Sequence, residues 1–262
     1  MSRIDRIFAE LRANRRKALM PFVCGGFPRR SAVSEAVPVI AASGASVIEI
    51  GLPFSDPIAD GPVIAAAMHD ALRGGATPAT VIDEVASLRG RVDVGLVAMV
   101  SVSIVTRLGG ADAFCSRLAS AGFDGVICPD CPLEESAELV AAAKASGLSL
   151  SMLIAPSTPG ERARAIARAS SGFVYLLARA GITGERSDAP DIAARVAEIR
   201  QYTNQPIACG FGVASPEHVR AVVRDADAAI VGSALVRRMG DAGDGYVRAA
   251  DECVRELATG LV

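Results

Sequence analysis

Short, nearly pure apolar runs alternate with longer stretches in which apolar positions recur every three or four residues, and Gly or Pro separates the two kinds. The short runs predict strands at 21–24, 46–50, 95–100, 125–128, 149–154, 173–177, 206–209 and 228–231. Several lack any polar alternation, which is the pattern of strands covered on both faces. The longer stretches predict helices, for example over 34–43, 136–146 and 189–202. Strand followed by helix, repeated, gives a parallel sheet, and eight such units predict closure into a (β/α)8 TIM barrel. An extra N-terminal helix is expected, because Ile4, Ile7, Phe8 and Leu11 share one helical face. Such a helix would cover the bottom of the barrel. Further helices are expected near 80–88 and 246–257. No linker or low-complexity stretch interrupts the pattern, so residues 1–262 read as one barrel domain.

Composition narrows the function classes. Hydrophobic residues make up 51% and charged residues 21%, which excludes a disordered chain. The formal net charge is −2, and the basic clusters Arg15-Arg16-Lys17 and Arg29-Arg30 are too short for a nucleic-acid surface. No apolar run is long enough to span a bilayer, and the first residues lack a signal-peptide pattern, so a cytoplasmic protein is expected. The six cysteines are scattered and form no disulfide framework. Cys128-Pro129-Asp130-Cys131 spells a CxxC, but its first Cys ends a strand instead of opening a helix, which disfavours a redox pair. His69 and His218 have no zinc-finger spacing to the cysteines, and His69 reads as a mid-helix surface or packing residue. No metal is expected.

In a barrel of this kind the chemistry sits at the C-terminal ends of the strands. Glu49 stands inside the apolar second strand, where a carboxyl is costly unless it is used or ion-paired. Asp56 and Asp60 follow in the loop. Asp60 precedes Gly61-Pro62 and serves equally well as a helix N-cap, and Asp56 before Pro57 as a turn residue. Glycine turns follow the last three strands, at Gly181-Ile182-Thr183-Gly184, Gly210-Phe211-Gly212 and Gly232-Ser233. Turns after strands seven and eight favour a phosphate ester as ligand. The polar segment 179–188 reads either as a lid or as an exposed connection.

With these motifs in view, the chain resembles the tryptophan synthase alpha chain family. Glu49 to Pro57 followed by Ala59-Asp60-Gly61-Pro62 carries the resemblance most specifically. Residues 67–75, 125–135, Tyr175-Leu176-Leu177 with the turn at 181–184, Gly210-Phe211-Gly212 and Val231-Gly232-Ser233-Ala234 agree in order and spacing, so that nearly the whole chain is covered. The resemblance implies a lyase that cleaves indole-3-glycerol phosphate by a retro-aldol reaction to indole and glyceraldehyde 3-phosphate in tryptophan biosynthesis. It implies Glu49 as acid–base group, Asp60 as the carboxylate receiving the indole N–H, and Tyr175 beside them. Phe22, Ile64, Ile127 and Phe211 are implied around the indole. Gly184, Gly212, Gly232 and Ser233 are implied around the phosphate, with Thr183 bonding Asp60 when the lid closes. No cofactor is implied in this chain, since pyridoxal phosphate belongs to a beta subunit. That partner is expected in an alpha2beta2 tetramer, docked through loops near Asp56 and Asp130.

Two stretches depart from the family pattern. The first strand leads into Gly25-Gly26-Phe27-Pro28 where the family has Gly-Asp-Pro, and Met99 to Val105 lacks the family's Tyr and Asn-Pro. The second departure falls on a loop that meets the beta subunit. It prompts one alternative, a stand-alone lyase supplying free indole; a separate one, against which the intact carboxylate pair argues, is a non-catalytic regulatory partner of a beta subunit.

Overall fold

The computed structural model describes residues 2–57, 60–178, 191–210 and 212–262. Nine parallel strands run in the order β5-β4-β3-β2-β1-β9-β8-β7-β6. They are β1 (Ala18–Cys24), β2 (Val47–Gly51), β3 (Gly95–Met99), β4 (Gly125–Ile127), β5 (Ser149–Ser151), β6 (Leu153–Ile154), β7 (Val174–Leu177), β8 (Ile207–Gly210) and β9 (Ala228–Val231). All eight expected strands are present, and the fifth is split in two at Met152. β5 pairs with β4 and β6 with β7, so the ring closes through this broken strand. The break has a local cause. The Ser171 hydroxyl accepts from Leu150 N–H (2.8 Å) and the Ser170 hydroxyl from Met152 N–H (3.2 Å). Side chains thus replace ladder bonds at the seam, which short apolar runs in a sequence do not reveal.

The helices are α1 (Arg3–Ala13), α2 (Ala32–Ala42), α3 (Pro62–Arg73), α4 (Pro78–Leu88), α5 (Val102–Arg107), α6 (Gly110–Ala121), α7 (Ala137–Ala145), α8 (Gly160–Ala169), α9 (Ala193–Arg200), α10 (Pro216–Asp225), α11 (Ser233–Asp241) and α12 (Tyr246–Ala258). α2 tolerates Pro38 because the Ser34 carbonyl, four residues back and denied its helical partner, accepts from Arg91 Nη1 (3.3 Å).

Strand parity sorts the core into two shells. Leu19, Val23, Ile48, Ile50, Leu96 and Ala98 face outward into the cluster shared with the helices. Met20, Val47, Val97, Ile127, Phe173, Tyr175, Ala208 and Ile230 face inward and fill the barrel. α1 closes the bottom as expected: Ile4 and Phe8 are buried in the inner cluster, and the Phe8 and Phe173 rings lie 6.2 Å apart. Glycines make room for it, since a Cβ at Gly125 would lie 3.0 Å from Ile4 Cδ1.

Two carboxylates stitch the strand starts at that end. Asp124 accepts from Leu96 N–H (2.9 Å) and pairs with Arg3 (3.2 Å) and Arg89 (3.3 Å). Asp227 accepts from Ile207 N–H (2.8 Å) and pairs with Arg200. No described helix is long and apolar enough to cross a membrane.

Candidate active site

The opposite end of the barrel is built differently. On β2 the inward parity that places Val47 in the barrel also places Glu49 there, fully buried and in register with Phe22 on one side and Val97 on the other. Both carboxyl oxygens of Glu49 lack a hydrogen-bond partner among the described residues, so the ion-pair alternative fails. Burial favours the neutral acid and pushes its pKa up to about 8.

Asp60 does not cap α3. Gly61 is the N-cap residue and has no side chain to cap with, and Pro62 lies in the first turn as expected. Asp60 closes a turn instead, donating its N–H to the Pro57 carbonyl (3.0 Å), and partial burial raises its carboxyl to about 6. Tyr175 points into the same interior. Burial, followed by the nearby Glu49 charge, drives its phenol well above the ordinary range, and Asp60 adds to the effect. Its hydroxyl approaches Gly210, where a Cβ would meet it at 2.9 Å. Tyr175 does not bond Glu49.

Of the residues expected around an indole ring, Phe22 and Ile64 pack in one cluster with Met68, and Ile127 belongs to the inner cluster. The Phe22 ring lies across Gly51, where a Cβ would meet it at 2.5 Å. Cys24 has the same parity as Phe22 and belongs to this wall, which the sequence reading did not include. Burial raises its thiol, and the Asp60 charge raises it further, which places it near Asp60. Parity along β1 was the available signal.

Gly210 and Ile230 are register partners, so the turns at Gly212 and Gly232 emerge side by side. Gly212 has φ +79°, a conformation natural to glycine. Gly232 opens α11 with no side-chain cap, leaving the first-turn N–H groups and the positive end of the helix dipole available, and Ser233 is buried there. A Cβ at Gly232 would find its nearest neighbour, Phe22 Cβ, at 3.8 Å, so the ring wall and the anion-ready turn adjoin. Thr183, Gly184, Phe211 and the expected lid over 179–188 lie outside the described residues.

At the rim, a cleft lined by Leu52, Phe54, Asp56, Asp60, Met99, Ser101 and Asp130 joins the loops after β2, β3 and β4. Asp56 is exposed. Asp130 accepts from the Ser101 hydroxyl (2.6 Å) and Val102 N–H (2.9 Å), tying the altered third loop to the fourth. In the first loop, Phe27 packs beneath Gly240 of α11, where a Cβ would meet its ring at 2.8 Å. The first loop is therefore anchored on α11 by an apolar ring. Of the surface and packing roles open to His69, the surface one holds, and its Nε2 lies 3.1 Å from the Ser55 carbonyl, linking α3 to the loop that carries Asp56 and Asp60. All six cysteines are unbridged. The Cys128 thiol donates to Asp130 (3.4 Å), and burial raises both it and Cys131, which removes the thiolate a redox pair needs. Among the described residues no group of three His, Cys, Asp or Glu side chains gathers to hold a metal.

A parallel barrel with two carboxyls of unlike acidity at its mouth, beside an apolar wall and paired glycine turns, defines a β/α-barrel enzyme of the acid–base kind. Comparison gives the family. The family model for the tryptophan synthase alpha chain matches residues 8–259. The tryptophan synthase alpha chain of Chloroflexus aggregans is 46% identical over 91% of this chain and 90% of its own. That of Prochlorococcus marinus MIT 9313 is 43% identical over 92% and 88%. Among solved structures, a tryptophan synthase chain from Mycobacterium tuberculosis superposes with a TM-score of 0.91 at 35% identity, covering 99% of this chain and 98% of its own. The chain belongs to the tryptophan synthase alpha chain family. It is accordingly a lyase that cleaves indole-3-glycerol phosphate in tryptophan biosynthesis, and an alpha chain has a beta-subunit partner.

Proposed function

We propose that Glu49 is the acid–base group of this cleavage and that Asp60 is the carboxylate that receives the indole N–H. The observation that supports this most is the divergence of the two acids. With values of about 8 and about 6, Glu49 is mostly protonated and Asp60 mostly ionised at pH 7. Glu49 gives its proton to C3 of the indole, and the resulting indolenine can accept an electron pair. The glycerol hydroxyl returns a proton to Glu49 as the carbon–carbon bond breaks. Its electrons flow into the ring, leaving indole and glyceraldehyde 3-phosphate with no net change in protons. Positive charge that develops on the ring nitrogen is balanced by Asp60.

Tyr175 lines the site beside Glu49. Phe22, Ile64 and Ile127, with Phe211, hold the ring, and Gly212, Gly232 and Ser233, with Gly184, hold the phosphate. Thr183 bonds Asp60 when its loop closes and excludes water. The chain needs no cofactor for this chemistry, and pyridoxal phosphate resides in the beta partner. We place the beta subunit on the rim near Asp56 and Asp130, in an alpha2beta2 tetramer in the cytoplasm.

One observation favours a second reading. Asp130 is engaged within the chain by Ser101 and Val102, in the loop that departs from the family pattern. That supports a lyase that works without beta. Indole release with and without a beta subunit separates the two: strong stimulation by beta supports the coupled enzyme, and equal high turnover in its absence supports the stand-alone one. Indole release unimpaired in Glu49→Gln would overturn the catalytic assignment.

A further inference from the structure

His218 is a buried imidazole on a helix face otherwise made of valines, Val219, Val222 and Val223. A buried polar ring requires a partner. Its partner is the loop after β8: Nδ1 lies 3.1 Å from the Gly212 carbonyl, and the Ala214 N–H is directed at the same nitrogen across 3.4 Å. The two contacts call for opposite tautomers, and the shorter one assigns the hydrogen to Nδ1, donating to Gly212. In a trans peptide the carbonyl of one residue and the N–H of the next point in opposite directions. With the Gly212 carbonyl held toward α10, the Val213 N–H is turned away from the helix. That N–H has no hydrogen-bond partner among the described residues, although Val213 is buried. Ser215 fixes the helix start itself, its hydroxyl accepting from His218 N–H (3.3 Å).

We propose that His218 is a positioning residue for the substrate phosphate. Its Nδ1–H holds the Gly212–Val213 peptide so that a backbone N–H faces the phosphate beside the start of α11. This rests on the phosphate reading of the Gly212 and Gly232 turns. His218 touches no reacting atom, so it acts on affinity and leaves the chemical step unchanged.

The test uses the full chain with glycerol 3-phosphate as the binding probe. His218→Leu fills the volume and removes the donor, and it should weaken glycerol 3-phosphate and raise KM by about tenfold while kcat stays within about twofold. His218→Gln, which keeps a donor, should recover most of the loss. Affinity unchanged in His218→Leu, or a fall in kcat at constant KM, would overturn the proposal. A measurement on the unaltered protein guards against a misfolded variant. The chain has only two histidines, so imidazole 15N spectra assign readily with His69→Gln. They should show the Nδ1–H tautomer at His218 and a shift on adding glycerol 3-phosphate. An Nε2–H tautomer, or no shift under saturating ligand, contradicts it. Failure of the unaltered chain to bind glycerol 3-phosphate would instead defeat the phosphate reading, and this inference with it.

Discussion

The two ends of the barrel treat their buried and half-buried carboxyls in opposite ways. At the bottom, Asp124 has a backbone N–H and two arginines, and Asp227 has a backbone N–H and an arginine. At the mouth, Glu49 is buried with no hydrogen-bond partner among the described residues, and Asp60 sits beside a helix start that it does not cap. Satisfied carboxylates hold strands in register, and removing one strands its donors. An unsatisfied carboxyl costs stability and gains reactivity, because burial moves its proton affinity toward neutral pH. The comparison separates residues kept for the fold from residues kept for the reaction.

The comparison breaks most directly at Glu49. Glu49→Gln should lower turnover by about 10²- to 10⁴-fold with the fold intact, read by indole release beside circular dichroism. Asp60→Asn should cost less, on the order of 10²-fold, because it weakens charge balance and leaves the proton donor in place. Stability carries the opposite signature. The Glu49 pKa is raised from 4.5 to about 8, so the folded state binds its proton more tightly than the unfolded chain does. Its contribution is fully present below pH 4.5 and is lost as pH rises through about 8. Glu49→Gln should remove that alkaline loss, which thermal melts between these limits measure. At the other end, Asp124→Ala should destabilise by about 2–3 kcal/mol, with kcat in the surviving folded protein unchanged, because Leu96 N–H and Arg89 lose their acceptor. The smallest effect is expected at Gly51. A Cβ there meets the Phe22 ring at 2.5 Å, so Gly51→Ala should shift the ring and raise KM by a few-fold.

The strands were legible because strands buried on both faces read as apolar runs, and even the α1 plug announced itself through Ile4, Ile7, Phe8 and Leu11. The split at Met152 was not legible, since it depends on which backbone groups the hydroxyls of Ser170 and Ser171 reach. Helix starts were less exact: α2 begins at Ala32 and not near residue 34, because a serine is as much at home inside the first turn as at a cap. In the site, Glu49 stood out in sequence as a carboxyl in an apolar strand. Asp60 did not, because a side chain before Gly-Pro is equally credible as a cap, and the geometry at Gly61 decides against that role. Cys24 and His218 carried no motif. Their positions follow from parity on β1 and from a polar ring among valines on α10, which gain meaning only beside the residues they face.

The pH dependence of kcat/KM for indole release tests the central claim that the two mouth carboxyls work in different protonation states. A protonated Glu49 and an ionised Asp60 predict a bell, falling below about 6 and above about 8. In Asp60→Asn the part of the acid limb that belongs to the enzyme should disappear, leaving only that of the substrate phosphate. A profile flat on the alkaline side through pH 9, well above the value of about 8, would contradict the account. So would an acid limb unchanged in Asp60→Asn.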